Sequence, residues 1–106
     1  MEGLFMALKK FDVLIEAVRY ENGQIACVRA YERRGATFSD RVLIVRSDLA
    51  ERMKNGKKVM TGQRREFLAS TFELGKPVQA VKQNGLEVIS TRVAAEHDDL
   101  EGVPVF

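Results

Sequence analysis

The feature that most restricts how this chain can fold is a pair of Asn-Gly dipeptides, Asn22-Gly23 and Asn84-Gly85, each set between two β-branched or apolar runs. A two-residue type I′ loop needs positive φ at both central positions, which Asn and Gly tolerate and most residues resist. The first dipeptide joins the run Asp12 to Tyr20 with the run Ile25 to Arg33, and the second joins Val78 to Val81 with Leu86 to Ser90. Two such turns predict antiparallel pairing near both ends of the chain.

Taking Asn22 and Gly23 as the loop sets Val18 opposite Cys27, Glu16 opposite Arg29 and Leu14 opposite Tyr31. That register predicts a cross-strand ion pair at 16 and 29 and an inward face of Val13, Ile15, Ala17, Val28 and Ala30. Cys27, within a strand and beside apolar neighbours, reads as a buried and unreactive thiol.

Arg33 to Asp40 reads as a loop, and Arg41 to Arg46 as a third, largely buried strand. Ser47 to Asn55 predicts a helix: Asp48 and Glu51 approximate a capping box, Leu49, Ala50 and Met53 share a face, and Gly56 follows the end. Lys54, Lys57 and Lys58 gather near its C-terminus, where the helix dipole favours cations. Lys57 to Thr61 reads as a fourth strand and Gly62 to Arg65 as a turn. Residues 66 to 74 fit either a helical face (Phe67, Leu68, Thr71, Phe72) or one side of a strand (Leu68, Phe72, Leu74). A strand is favoured, because Gly75-Lys76-Pro77 ahead of Val78 reads as a turn between strands.

These elements predict a mainly β fold, a small antiparallel barrel or strongly curled sheet of five to seven strands, with one short helix between the third and fourth strands. Closing or curling such a sheet protects its edges. The element order is OB-like or SH3-like by analogy alone. With 106 residues the chain supports one core. The expected division is a leader over 1–11, a single β-rich domain over 12–91, and an acidic, flexible tail over 92–106.

One cysteine cannot form an intrachain disulfide, and a single histidine, His97, among acidic neighbours gives no selective metal site. No metal or other cofactor is expected. No apolar run approaches the ~20 residues a membrane span requires, so a cytoplasmic protein without a membrane partner is expected. Phosphate loops, nucleophile elbows and metalloprotease helices have no counterpart here. Glu16, Glu66 and Glu73 are the ordered carboxylates an acid-base enzyme could use, but each reads as an ion-paired or surface charge, and a non-enzymatic role is expected.

Charge is unevenly spread. Eleven basic residues stand against four acidic ones between Arg29 and Arg65, and the remainder of the chain is net acidic. Arg33, Arg34, Arg64 and Arg65 are therefore expected to hold phosphates, with Tyr31 and Phe38 as stacking residues, in a module that binds a polyanion, nucleic acid first among them. The alternative is a protein-interaction or scaffold module, including a homodimer formed through a strand edge. The acidic tail could also lie over the basic segment and compete with its ligand.

Overall fold

The computed structural model describes residues 11–106 except 36, 65–71, 84, 93, 94 and 96, and gives the backbone alone for Arg64, Phe72 and Gln83. It is mainly β, with β1 at Val13–Glu21, β2 at Gln24–Arg34, β3 at Thr37–Phe38, β4 at Val42–Val45, α1 at Arg46–Lys54, β5 at Val59–Arg64, β6 at Phe72–Gln83 and β7 at Leu86–Ser90. The strands run in the order β3-β2-β1-β5-β6-β7, with β4 also on β2, in one curled sheet that forms a half-barrel. Among the described strands every pairing is antiparallel except β1 with β5, which run parallel over Val13–Ile15 and Val59–Thr61. The crossover carrying α1 supplies the long connection a parallel pair requires. The expected loop after Arg33 contains β3, which pairs Arg33-Arg34 with Thr37-Phe38.

Both Asn-Gly hairpins form. Asn22 and Gly23 take φ of 53° and 78°, and Glu21 faces Gln24 across that loop; Gln83 faces Leu86 across the other. In the first hairpin the register expected from the turn holds near it (Tyr20 with Ile25) and far from it (Leu14 with Tyr31), but is displaced by one between. Val18 faces Val28, not Cys27, and Arg29 faces Ala17, not Glu16. Two bulges account for this: Ala26 is the extra residue on β2 and Glu16 on β1, and their offsets cancel. Each bulge reverses the alternation of faces, so Val18 and Ile25 join Val13, Ile15, Val28 and Ala30 in the main core. Cys27 is turned to the other face, where it is half-buried.

The other face is covered as well. Phe11, Leu14 and Tyr31 form a second cluster with Phe38, Met60 and Leu74 against it. Phe11 is fully buried, so the packed unit takes in at least one residue of the expected leader. The rest of the expected leader lies outside the described residues, as do 66–71 of the strand expected over 66–74, whose last three residues open β6.

Of the turn expected at Gly62–Arg65, the described residues Gly62–Arg64 are strand, as is all of the turn expected at Gly75–Pro77, because β6 runs unbroken through Pro77 beside β5. A one-residue irregularity between Met60 and Gly62 makes room for Gly75 and Lys76, and the Thr61 hydroxyl accepts the Lys76 N–H at 2.8 Å. Gly62 permits a close approach here, since a Cβ would strike the Glu73 carbonyl oxygen and lie 2.9 Å from Leu14 Cδ1.

α1 starts directly from β4. Val45 is its N-cap and offers no side-chain cap, so Asp48 sits inside the first turn and the expected capping box does not form. Its charge still faces the positive end of the dipole, and Arg52 and Lys54 face the negative end. Leu49 is fully buried in the main core with Ile44, Val59 and Val78. β4 is less enclosed than expected: Ile44 is buried, whereas Leu43 and Val45 are exposed.

The expected flexible tail is docked. Asp98 is buried with 2% of its side chain exposed, and Ala95 and Leu100 are buried near it. One Asp98 oxygen accepts the Ile25 N–H (2.8 Å) and Arg46 Nε (2.7 Å), and the other accepts the Ile89 N–H (2.9 Å) and an Arg46 terminal nitrogen (3.1 Å). Beyond it, Leu100 N–H donates to the Tyr20 hydroxyl, and Pro104 and Phe106 bond the main chain of Val18. The segment thus occupies the β1 edge above the short parallel pairing with β5.

Burial alone would raise the Asp98 carboxyl, but the hydrogen bonds from Arg46, Ile25 and Ile89 outweigh it and hold the group below the ordinary aspartate range. A carboxyl lowered in this way stabilises the fold above its unfolded pKa of about 3.9, and the contribution disappears as pH falls through the lower folded value. Urea titrations should therefore show wild-type stability declining below about pH 4, with a smaller decline over that range in Asp98→Ala. The same variant should lose about 3–5 kcal/mol at neutral pH, because it leaves Arg46 and two buried amides without their acceptor. Gly62→Ala should cost about 1–3 kcal/mol by the same measurement, since the added methyl meets main chain that cannot rotate away.

Candidate functional site

The strand topology separates Arg33 and Arg34 from the main chain of Arg64, with which they are expected to share a surface. Arg33 lies at the start of the sheet, where its N–H donates to the Asp12 carbonyl, and Asp12 N–H in turn donates to the Lys58 carbonyl. Arg64 closes β5, six residues beyond Lys58. At about 3.3 Å per residue this is roughly 20 Å along the strand. Arg65 lies outside the described residues.

Most of the other expected contact residues are engaged internally. Arg33 Nε donates to the Phe11 carbonyl at 2.9 Å, lies 4.0 Å from an Asp12 carboxylate oxygen, and its guanidinium sits 4.8 Å from the Phe38 ring centre. Phe38 in turn packs on Phe11 with ring centres 5.2 Å apart. Tyr31 is 3% exposed and donates its hydroxyl to Glu16 at 3.1 Å. Neither aromatic offers a free face for a base. Arg34 is exposed, as expected.

Ion pairing absorbs several further cations of the basic segment. Arg41 reaches Glu16 at 3.0 Å, Arg46 reaches Asp98, and Arg52 reaches Glu32 at 3.1 Å. The expected Glu16–Arg29 pair is absent because Glu16 is the bulged residue; Arg29 instead lies 4.5 Å from the Phe106 ring centre. The acidic tail answers its own cations, Asp99 with Arg92 and Glu101 with Lys76 and Arg92, and makes no ion pair with Arg33 or Arg34 among the described residues.

What remains exposed at the Asp12 end is a different set: Arg34, Lys54, Lys57 and Lys58. Asp12 links Lys58 to the chain next to Arg34, for its carboxylate accepts the Lys58 N–H at 3.0 Å while its main chain joins Lys58 to Arg33. Lys57 N–H donates to the Arg52 carbonyl, which fixes the turn out of α1. Among the described residues no carboxylate pairs with these four side chains. The Lys57-Lys58 doublet is visible in the sequence, but its proximity to Arg34 depends on the parallel pairing of β1 with β5.

One concavity accompanies these residues. A groove of about 470 Å³ lies between the end of α1 and the β5–β6 pair, with Met53, Met60, Pro77 and Ala80 beside Lys57 and Lys58. A second cleft, about 280 Å³, includes Glu16, Glu73, Glu101 and Lys76. Two of the three expected carboxylates thus line one cleft, with Glu16 held by Tyr31 and Arg41; Glu66 lies outside the described residues. His97 is exposed, and the described residues include no group of three or more His, Cys, Asp or Glu placed to hold a metal. None of the described helices is long and apolar enough to cross a membrane.

No family model, curated protein or solved structure matches the chain.

Arg33 and Arg34 should behave as different kinds of residue despite their adjacency. Arg33→Ala removes packing on Phe11 and Phe38 together with a hydrogen bond, and should cost about 1–2 kcal/mol of unfolding free energy. Arg34→Ala should stay within about 0.5 kcal/mol in the same urea titration.

Proposed function

We propose that the protein is a non-enzymatic binding module that engages an anionic partner through the Asp12 end of the half-barrel. The observation that carries this reading is the unpaired, exposed set Arg34, Lys54, Lys57 and Lys58, gathered from β2, the end of α1 and the turn into β5. Cations of this kind attract a polyanion by charge and by release of its counterions. Tyr31 and Phe38 do not take part, because one is buried and the other is packed on Phe11. A mode in which bases stack on them has no support, and nucleic acid enters only as a polyanion held by its backbone.

Arg64 and Arg65 are left out of the binding set, and Lys54, Lys57 and Lys58 replace them. Oligothymidylate and poly-glutamate, followed by fluorescence anisotropy at increasing salt, test the reading. If about four charges are neutralised on a single strand, log K should fall with log salt at a slope near −3. Lys57→Glu with Lys58→Glu should flatten that slope, while Arg64→Glu should leave it unchanged. A wild-type slope indistinguishable from zero for both ligands would remove the proposal.

A further inference from the structure

Strand β6 outruns its neighbour β5. Val78, facing Val59, is the last β6 residue opposite β5, yet β6 continues to Gln83. Over Gln79–Gln83 it pairs with β7 on one side, and no described strand lies on the other. Across a two-residue hairpin loop the flanking pair, here Gln83 and Leu86, exchanges both main-chain bonds, and alternate residues repeat that orientation. Gln83, Val81 and Gln79 therefore bond toward β7, and Ala80 and Lys82 turn N–H and C=O toward the side that β5 leaves open.

The chain leading into β5 does not fill this space. Lys57 N–H is committed to Arg52 and Lys58 N–H to the Asp12 carboxylate, and the Lys58 carbonyl accepts from Asp12 and Val13. Ala80 and Lys82 are both exposed. Beside this edge lies the groove of about 470 Å³, whose lining includes Met53, Met60, Pro77, Lys57 and Lys58. Methionine side chains adapt to irregular apolar ligands, and lysines on the rim select for negative charge.

We propose that the β6 overhang is a strand-addition site for an extended, acidic segment of a partner protein. The incoming segment lies in line with β5 and exchanges main-chain hydrogen bonds with Ala80 and Lys82. It sets apolar side chains against Met53, which packs on the main core, and places carboxylates beside Lys57 and Lys58. Among the described residues the outward side of the overhang carries no strand and the groove no aromatic face, so a peptide fits these groups better than a nucleic acid. This inference rests on the anionic-partner reading and specifies its ligand.

The test uses the full chain and a fluorescent peptide of alternating leucine and glutamate, together with two versions N-methylated on the two alternate sets of amides. A strand bonds through one edge at a time, so one methylated version should bind about tenfold more weakly and the other should bind like the parent. Ala80→Pro removes the outward N–H without removing a bond to β7, and should weaken the parent peptide while leaving the wild-type circular dichroism spectrum. Lys57→Glu with Lys58→Glu should do the same by charge.

If both methylated peptides bind as tightly as the parent while poly-glutamate and oligothymidylate still bind, strand addition is overturned and the charge-based reading stands. If none of these ligands binds, both fall. A concentration-dependent mass in sedimentation that Ala80→Pro abolishes, with no peptide binding, would assign the edge to a second copy of the chain and likewise overturn the proposal.

Discussion

The half-barrel is held by one buried carboxylate. Asp98 bonds the Ile25 amide at the start of β2, the Ile89 amide in β7 and the Arg46 guanidinium at the first turn of α1, so elements far apart in sequence meet at a single side chain. Such an arrangement is costly to assemble from water and more costly to break once assembled, because each donor loses an acceptor it cannot replace in the interior. It also explains why so acidic a segment is ordered: its central charge is a ligand for three donors and not a solvated surface group. Main-chain bonds of Pro104 and Phe106 to Val18 continue the closure along β1.

The second determinant is the pair of cancelling bulges in the first hairpin. An unbulged hairpin would turn Val18 and Ile25 to the opposite face. With Ala26 and Glu16 inserted, both residues join the main core, while Leu14 and Tyr31 keep the opposite orientation and build a second cluster with Phe11. The bulge also directs Glu16 to Tyr31 and Arg41, which leaves Arg29 to lie against Phe106. One backbone irregularity thus reassigns two ion-pairing partners, and no rule of turn register could have revealed it.

Surface charge in this protein is largely a structural resource. Arginines at 33, 41, 46 and 52 each sit near a carboxylate, and their flat, multiply donating guanidinium groups suit them to such sites. The lysines at 54, 57 and 58 have no such partner among the described residues. Where α1 ends and β5 begins, charge, an apolar groove and an unfinished strand edge coincide. Each is ordinary alone; their coincidence distinguishes this end of the molecule.

Local chemistry in the chain determined the two Asn-Gly hairpins, the helix after the third long strand and the mainly β character, because turn conformation and face periodicity depend on residues near one another. The same local rules misread Gly75-Lys76-Pro77 as a turn, since its continuation as strand depends on Thr61 in a neighbouring strand. Tertiary structure alone decided which charges are free, which aromatics are buried and where the last segment docks. Those outcomes follow from the parallel pairing of β1 with β5 and a buried aspartate bonded to Ile25 and Arg46, which join residues tens of positions apart, and from paired bulges inside one hairpin; none leaves a local periodic trace.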